Sequence, residues 1–146
     1  MLTMSETVRD AMVPEPTTLA AEASAQELGR CFADNDDVRA IFVTEDDGRL
    51  LGVVTRKTLV REVVAAGLYP GTVTLRAIAE PPNFTLDAGL GLEGAFRFLE
   101  EQDLERVPVV EEGGRLVGVL SRAVVQRRLA EDEPREGEPE AGSLVL

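Results

Sequence analysis

Histidine and tryptophan are absent from this chain, and cysteine and tyrosine occur once each. The missing histidine removes Ser-His and Cys-His nucleophilic catalysis, helical zinc-protease motifs and His-ligated metal sites together. A single cysteine closes no internal disulfide and builds no structural zinc site. With five Phe and no Trp, the core has to come from Val, Leu, Ile and Ala. No apolar run approaches the roughly 20 residues that a bilayer-spanning helix needs. The N-terminal stretch MLTMSETVRD lacks the apolar segment of a secretory signal. A cytoplasmic protein without membrane association is the expectation. Basic residues are also scarce: 15 Lys and Arg face 27 Asp and Glu, for a net charge of −12. This disfavours a broad basic face for nucleic acid but leaves room for a local basic cluster that holds one small anion.

What the chain does have is a repeat. Thr7–Asp36 laid over Thr74–Asp103 gives eight identities in 30 pairs, among them Arg9 with Arg76, Pro14 with Pro81 and Leu19 with Leu86. After Asp37 is skipped, Val38–Val63 over Leu104–Leu129 gives nine identities in 26. Unrelated segments of ordinary composition would match roughly one time in fifteen. The duplication covers nearly the whole chain. It sets a first repeat at 5–66, a linker at 67–73, a second repeat at 74–130, and an acidic tail at 131–146 too poor in apolar residues to fold. The terminal SLVL reads as an uncommitted end or a recognition tag.

Each repeat reads as helix, strand, helix, strand, strand, helix. A short amphipathic piece ends at proline, because the residue before a proline avoids the α region. The spacing then predicts helices over Ser24–Asn35 and Leu92–Gln102, the first opened by a Ser24–Glu27 capping box. Leu28, Cys31 and Phe32 share one helical face, matched by Ala95, Phe98 and Leu99. Cys31 thus reads as a core thiol. Hairpins follow, with Gly48 and Gly114 supplying the positive φ that such turns require. Thr55 and Ser121 close the second strands and stand where N-caps of the last helices belong. Pro108 lies in a strand without a donor, so it should sit at an edge or unpaired position. Glu45, Asp46, Asp47, Glu111 and Glu112 read as solvated turn residues, and no metal site is expected.

This pattern resembles a tandem CBS-domain pair, or Bateman module, over about residues 5–130. ERVPVVEEGGRLVGVLSR, Glu105–Arg122, is the most specific stretch. The resemblance implies a mixed α/β (α+β) fold of two pseudo-twofold-related β-α-β-β-α repeats forming one module. It also implies a regulatory protein that forms a homodimer; the length leaves no room for the fusions common in the family and no catalytic pattern is present, so a stand-alone, non-enzymatic module is the expectation. Such a protein senses AMP, ADP, ATP or S-adenosylmethionine and modulates an unidentified partner in trans. No cofactor is implied beyond that regulatory adenine nucleotide. The alternative is a ligand-free dimerisation scaffold.

The family's ligand signature is G-h-h-T/S-x-x-D, whose Thr or Ser meets phosphate or ribose and whose Asp holds both ribose hydroxyls. Here it reads Gly52, Thr55, Thr58 and Gly118, Ser121, Val124, without the Asp in either copy. The resemblance therefore points to a first-repeat cleft of Phe42, Thr55, Arg56, Lys57 and Thr58. A weaker second-repeat cleft would hold Pro108, Ser121 and Arg122. The family places the position of Pro108 and Phe42 beside the adenine; Phe42 would stack on the base or serve a core or interface. Arg56, Lys57 and Arg122 are either a local phosphate clamp or a solvated face paired with carboxylates. Leu59, Val63, Val124 and Val125 are the apolar residues expected to drive dimerisation.

Overall fold

The computed structural model describes residues 6–132. The first repeat contributes α1 (Val8–Ala11), β1 (Val13–Pro14), β2 (Thr18–Ala20), α2 (Ala25–Asp34), β3 (Ala40–Thr44), β4 (Leu50–Thr55) and α3 (Arg56–Leu59), which continues as a π-helical segment Val60–Val64. A 3-10 turn at Pro70–Thr72 lies in the linker. The second repeat contributes α4 (Leu75–Ile78), β5 (Leu86–Asp87), α5 (Leu92–Glu101), β6 (Arg106–Glu111), β7 (Arg115–Ser121) and α6 (Arg122–Asp132). The last helix thus runs two residues past the expected boundary at 130. The acidic-tail expectation otherwise falls on 133–146, outside the described residues.

The local signals carry through. Ser24 caps α2, with Glu27 N donating to its hydroxyl at 3.1 Å and the Glu27 carboxylate accepting from Ser24 N. Gly48 and Gly114 have φ of 88° and 82°, values that an L side chain resists. Both hairpins carry a bulge at the same place, after Val43 in one and after Val109 in the other. Pro108 explains a difference between the copies. In the first repeat, Phe42 N donates to Thr17 O at 3.4 Å, and β2 pairs with β3 from Thr18 onward. Pro108 has no N–H to give, and β5 pairs with β6 only from Leu86.

Two sheets result, in the orders β2-β3-β4 and β1-β7-β6-β5. Strand β1 belongs to the first repeat by sequence, yet pairs antiparallel with β7 of the second, Val13 opposite Val119. Its counterpart does the reverse, Glu80 bridging Val53 of β4. The short helices cross as well. Val8 and Ala11 of α1 lie in the core with Leu92, Leu99, Val107 and Leu120, while Leu75 and Ile78 of α4 lie in the core with Leu28, Ile41, Val43 and Val54. Matched backbone bonds fasten both crossings: Val8 N to Leu90 O at 2.8 Å and Leu75 N to Ala23 O at 2.9 Å. The Arg9–Glu111 ion pair matches the 2.7 Å bridge between Arg76 and Glu45. These two glutamates are not free turn acids, since each is held by an arginine of the other repeat. Each core contains segments of both copies, which suits repeats of about 60 residues that would be marginal alone.

Candidate functional site

Strand alternation decides which side chains face away from the cores. In β3, Ile41 and Val43 are buried, so Ala40, Phe42 and Thr44 point to the opposite face; in β4, Val54 is buried, and Val53 and Thr55 take that face. Phe42 lies opposite Val53, and Ala40 opposite Thr55, so Phe42 and Thr55 share one half-buried surface. The second repeat repeats this, with Pro108 opposite Val119 and Arg106 opposite Ser121. The structure therefore brings the strand residue and the signature hydroxyl of each copy to the same face.

Past Thr55 the chain turns into α3. Thr58 N donates to Thr55 Oγ1 at 3.1 Å, Thr55 N donates to Thr58 Oγ1 at 3.2 Å, and the two hydroxyls stand 3.0 Å apart. This capping box closes on itself and leaves Thr58 only 1% exposed. The hydroxyl standing where the family has its ribose-binding Asp is turned into the protein. In the second copy, Val124 N donates to Ser121 Oγ at 3.1 Å, and Val124 packs against the core.

The three cations take different places. Arg56 donates to the carbonyls of Phe32, Asn35 and Val38 at 3.1, 3.2 and 3.3 Å, and its guanidinium lies 4.7 Å above the Phe32 ring. It thereby ties down the end of α2, where orphan carbonyls need donors. Arg122 pairs with Glu105 at 2.6 Å and with Asp103 at 3.6 Å. Lys57 is exposed and has no carboxylate within ion-pair distance among the described residues.

An open groove of about 410 Å³ lies over this corner of the first repeat, lined by Asp36, Arg39, Thr55, Arg56 and Lys57. Phe42 and Thr58 do not line it. Asp36 and Arg39 were missed by sequence reasoning. Both sit in the short connection from α2 to β3, on no motif. The one available signal was the repeat alignment, which sets Arg39 against Glu105.

Comparison with known proteins fits this architecture. The CBS domain family model matches residues 8–65 and 71–131. Hypoxic response protein 1 of Mycobacterium tuberculosis (strain ATCC 25618 / H37Rv) is 34% identical over 131 residues, 86% of this chain and 86% of that protein. The crystal structure of Hypoxic Response Protein I with two coordinated zinc ions matches at TM-score 0.67 and 30% identity, over 84% of this chain and 98% of that one. The structure of CBSX2 in complex with AMP shares the fold at TM-score 0.66 and 24% identity, over 88% of this chain and 98% of that one. The chain belongs to the CBS-domain family and carries two tandem copies of the domain.

Proposed function

We propose that this chain is a regulatory CBS pair that senses an adenosine-containing ligand at the first repeat and acts on a partner protein in trans, without catalysis of its own. The observation that carries the reading is the groove where Thr55, Arg56 and Lys57 converge. It concentrates positive charge on a protein of net charge −12. The adjoining face with Phe42 offers an apolar surface for a base. Lys57 supplies a point charge for phosphate, and Thr55 a hydroxyl beside it. CBSX2, which shares the fold, binds AMP. The ribose is the weak part of the site. Thr58 is closed in its capping box, Val124 has no polar side-chain atom, and a neutral acceptor is roughly half as strong as a carboxylate. Affinity is therefore lower than a carboxylate-bearing site would give. Zinc has no place in this reading: the chain has no His and one Cys, and among the described residues no three His, Cys, Asp or Glu side chains converge.

Homodimerisation and a cytoplasmic location belong to the same proposal. The side chains expected to drive association are not available for it: Val63 and Val125 are fully buried, and Leu59 and Val124 pack on the cores. The exposed large apolar side chains among the described residues are instead Val13, Val60, Val64, Leu68, Tyr69 and Leu90, four of them within Val60–Tyr69. Among the described residues, no helix is long and apolar enough to cross a membrane.

Thermal-shift titration with AMP, ADP, ATP and S-adenosylmethionine tests the sensing claim. Ligand at ten times its Kd stabilises by about 1.4 kcal/mol, which is about 3–6 °C for a chain of this size. If no adenylate raises the melting temperature at millimolar concentration, the reading fails. The ligand-free scaffold, which the burial of Thr58 favours, then replaces it.

A further inference from the structure

The residues lining the first-repeat groove and their counterparts in the second repeat are related by repeat symmetry but opposite in charge. In the first, Arg39, Arg56 and Lys57 stand with Asp36, a formal charge of +2. Their counterparts in the second are Glu105, Arg122, Ala123 and Asp103, a formal charge of −1. The largest single difference is Arg39 against Glu105, two full charges at one position. The contacts follow the charges. Arg122 is neutralised by Glu105 and Asp103, whereas its counterpart Arg56 meets only neutral carbonyls and the Phe32 ring. Among the described residues, neither Arg39 nor Lys57 has a carboxylate within ion-pair distance. The first set thus keeps two uncommitted cations, whereas the one cation of the second, Arg122, is paired.

We propose that residue 39 is the specificity determinant of the pair: Arg39 makes the first groove selective for a polyanionic phosphate chain, and Glu105 denies the matching face of the second repeat to one. This deepens the adenylate reading and rests on it in assigning the phosphates to the groove. It predicts one phosphate site per chain and affinity rising from AMP to ADP to ATP. Each added phosphate oxygen meets a cation that already lacks a partner, and an open groove is screened, so the gain is steepest at low salt.

Calorimetry with inorganic tripolyphosphate tests this without the base or the ribose. The wild-type chain binds one tripolyphosphate. Arg39→Glu weakens binding at least roughly tenfold, as expected for reversing one of two free charges a few ångströms from the ligand. Arg39→Lys keeps affinity within roughly threefold, since it retains the charge. Glu105→Arg raises the stoichiometry from one toward two. Circular-dichroism melts check that all three exposed-position variants remain folded. Unchanged affinity in Arg39→Glu, equal binding at two wild-type sites, or no binding of tripolyphosphate overturns the proposal. The two readings separate cleanly. One tripolyphosphate bound with no response to any adenylate removes the adenylate reading and leaves Arg39 in its role. Adenylate binding indifferent to Arg39→Glu does the reverse.

Discussion

Gly52→Ala probes the crossing of the repeats directly. A Cβ at Gly52 would stand 2.6 Å from Glu80 O and 3.1 Å from both Glu80 C and Ala79 Cβ. The nearest of these is backbone, which cannot swing aside as the end of a side chain can. Two outcomes are open to the structure. It can keep the strand in place and absorb the overlap, at the 1–3 kcal/mol usual for overpacking. Or it can let the strand move off, losing the bonds Val53 N to Glu80 O at 2.8 Å and Glu80 N to Val53 O at 3.0 Å. Two backbone hydrogen bonds at about 1 kcal/mol each give a similar loss. Either way the cost is about 2 kcal/mol, or a melting temperature about 4–8 °C lower for a chain of this length. Gly29→Ala is the control. Its Cβ would meet only Leu59 Cδ2, at 3.8 Å, inside helix α2. There alanine should stabilise by up to about 1 kcal/mol through helix propensity. Urea denaturation followed by circular dichroism reads both. A Gly52→Ala protein as stable as wild type would refute the close strand crossing.

Arg56→Ala should cost about 1–2 kcal/mol, because three carbonyls lose a charged donor; Lys57→Ala should change stability by less than about 0.5 kcal/mol while weakening phosphate binding, and paired melts and titrations separate the two. Acid should loosen the crossing. Hydrogen bonding from Arg76 holds Glu45 below the ordinary value of 4.5, and Arg115 followed by Arg9 does the same for Glu111. Stability from a depressed carboxylate is fully present above its unfolded pKa and is lost as pH falls through the folded one. The melting temperature should therefore fall below pH 4.5, and less steeply in a Glu45→Gln, Glu111→Gln double variant; identical pH profiles would contradict this. Sedimentation at micromolar concentration should show a dimer of the 15.8 kDa chain that Val64→Glu shifts to monomer; a wild-type monomer would remove the dimer from the account.

Much of this molecule is legible because its signals are local. Ser24 with Glu27, Gly48 and Gly114 each act within a few residues, and each does in the structure what its spacing implies. Long-range features were hidden for the opposite reason. Nothing near Val13 indicates that it pairs with Val119, and nothing near Glu45 indicates Arg76. The duplication did hold a clue, since Arg9 and Arg76 recur together with Glu45 and Glu111. The site was half legible. The signature pointed to Thr55, which lines the groove, but not to the inward turn of Thr58, which depends on the reciprocal bond to Thr55. Arg56 read as either part of a phosphate clamp or part of a carboxylate-paired face; neither reading located its contacts, which are carbonyls 18 to 24 residues earlier. The π-helical segment at Val60–Val64 follows from no propensity rule we can name, and α6 has no counterpart to it.

A crystal structure of the chain with ATP tests the central claim most directly. The account predicts one nucleotide per chain, its phosphates within hydrogen-bonding reach of Lys57 and Arg39 and its base against the Phe42 face, with the groove at Ser121 and Arg122 empty. A nucleotide seated instead at Ser121 and Arg122, or no nucleotide at saturating concentration, would contradict it.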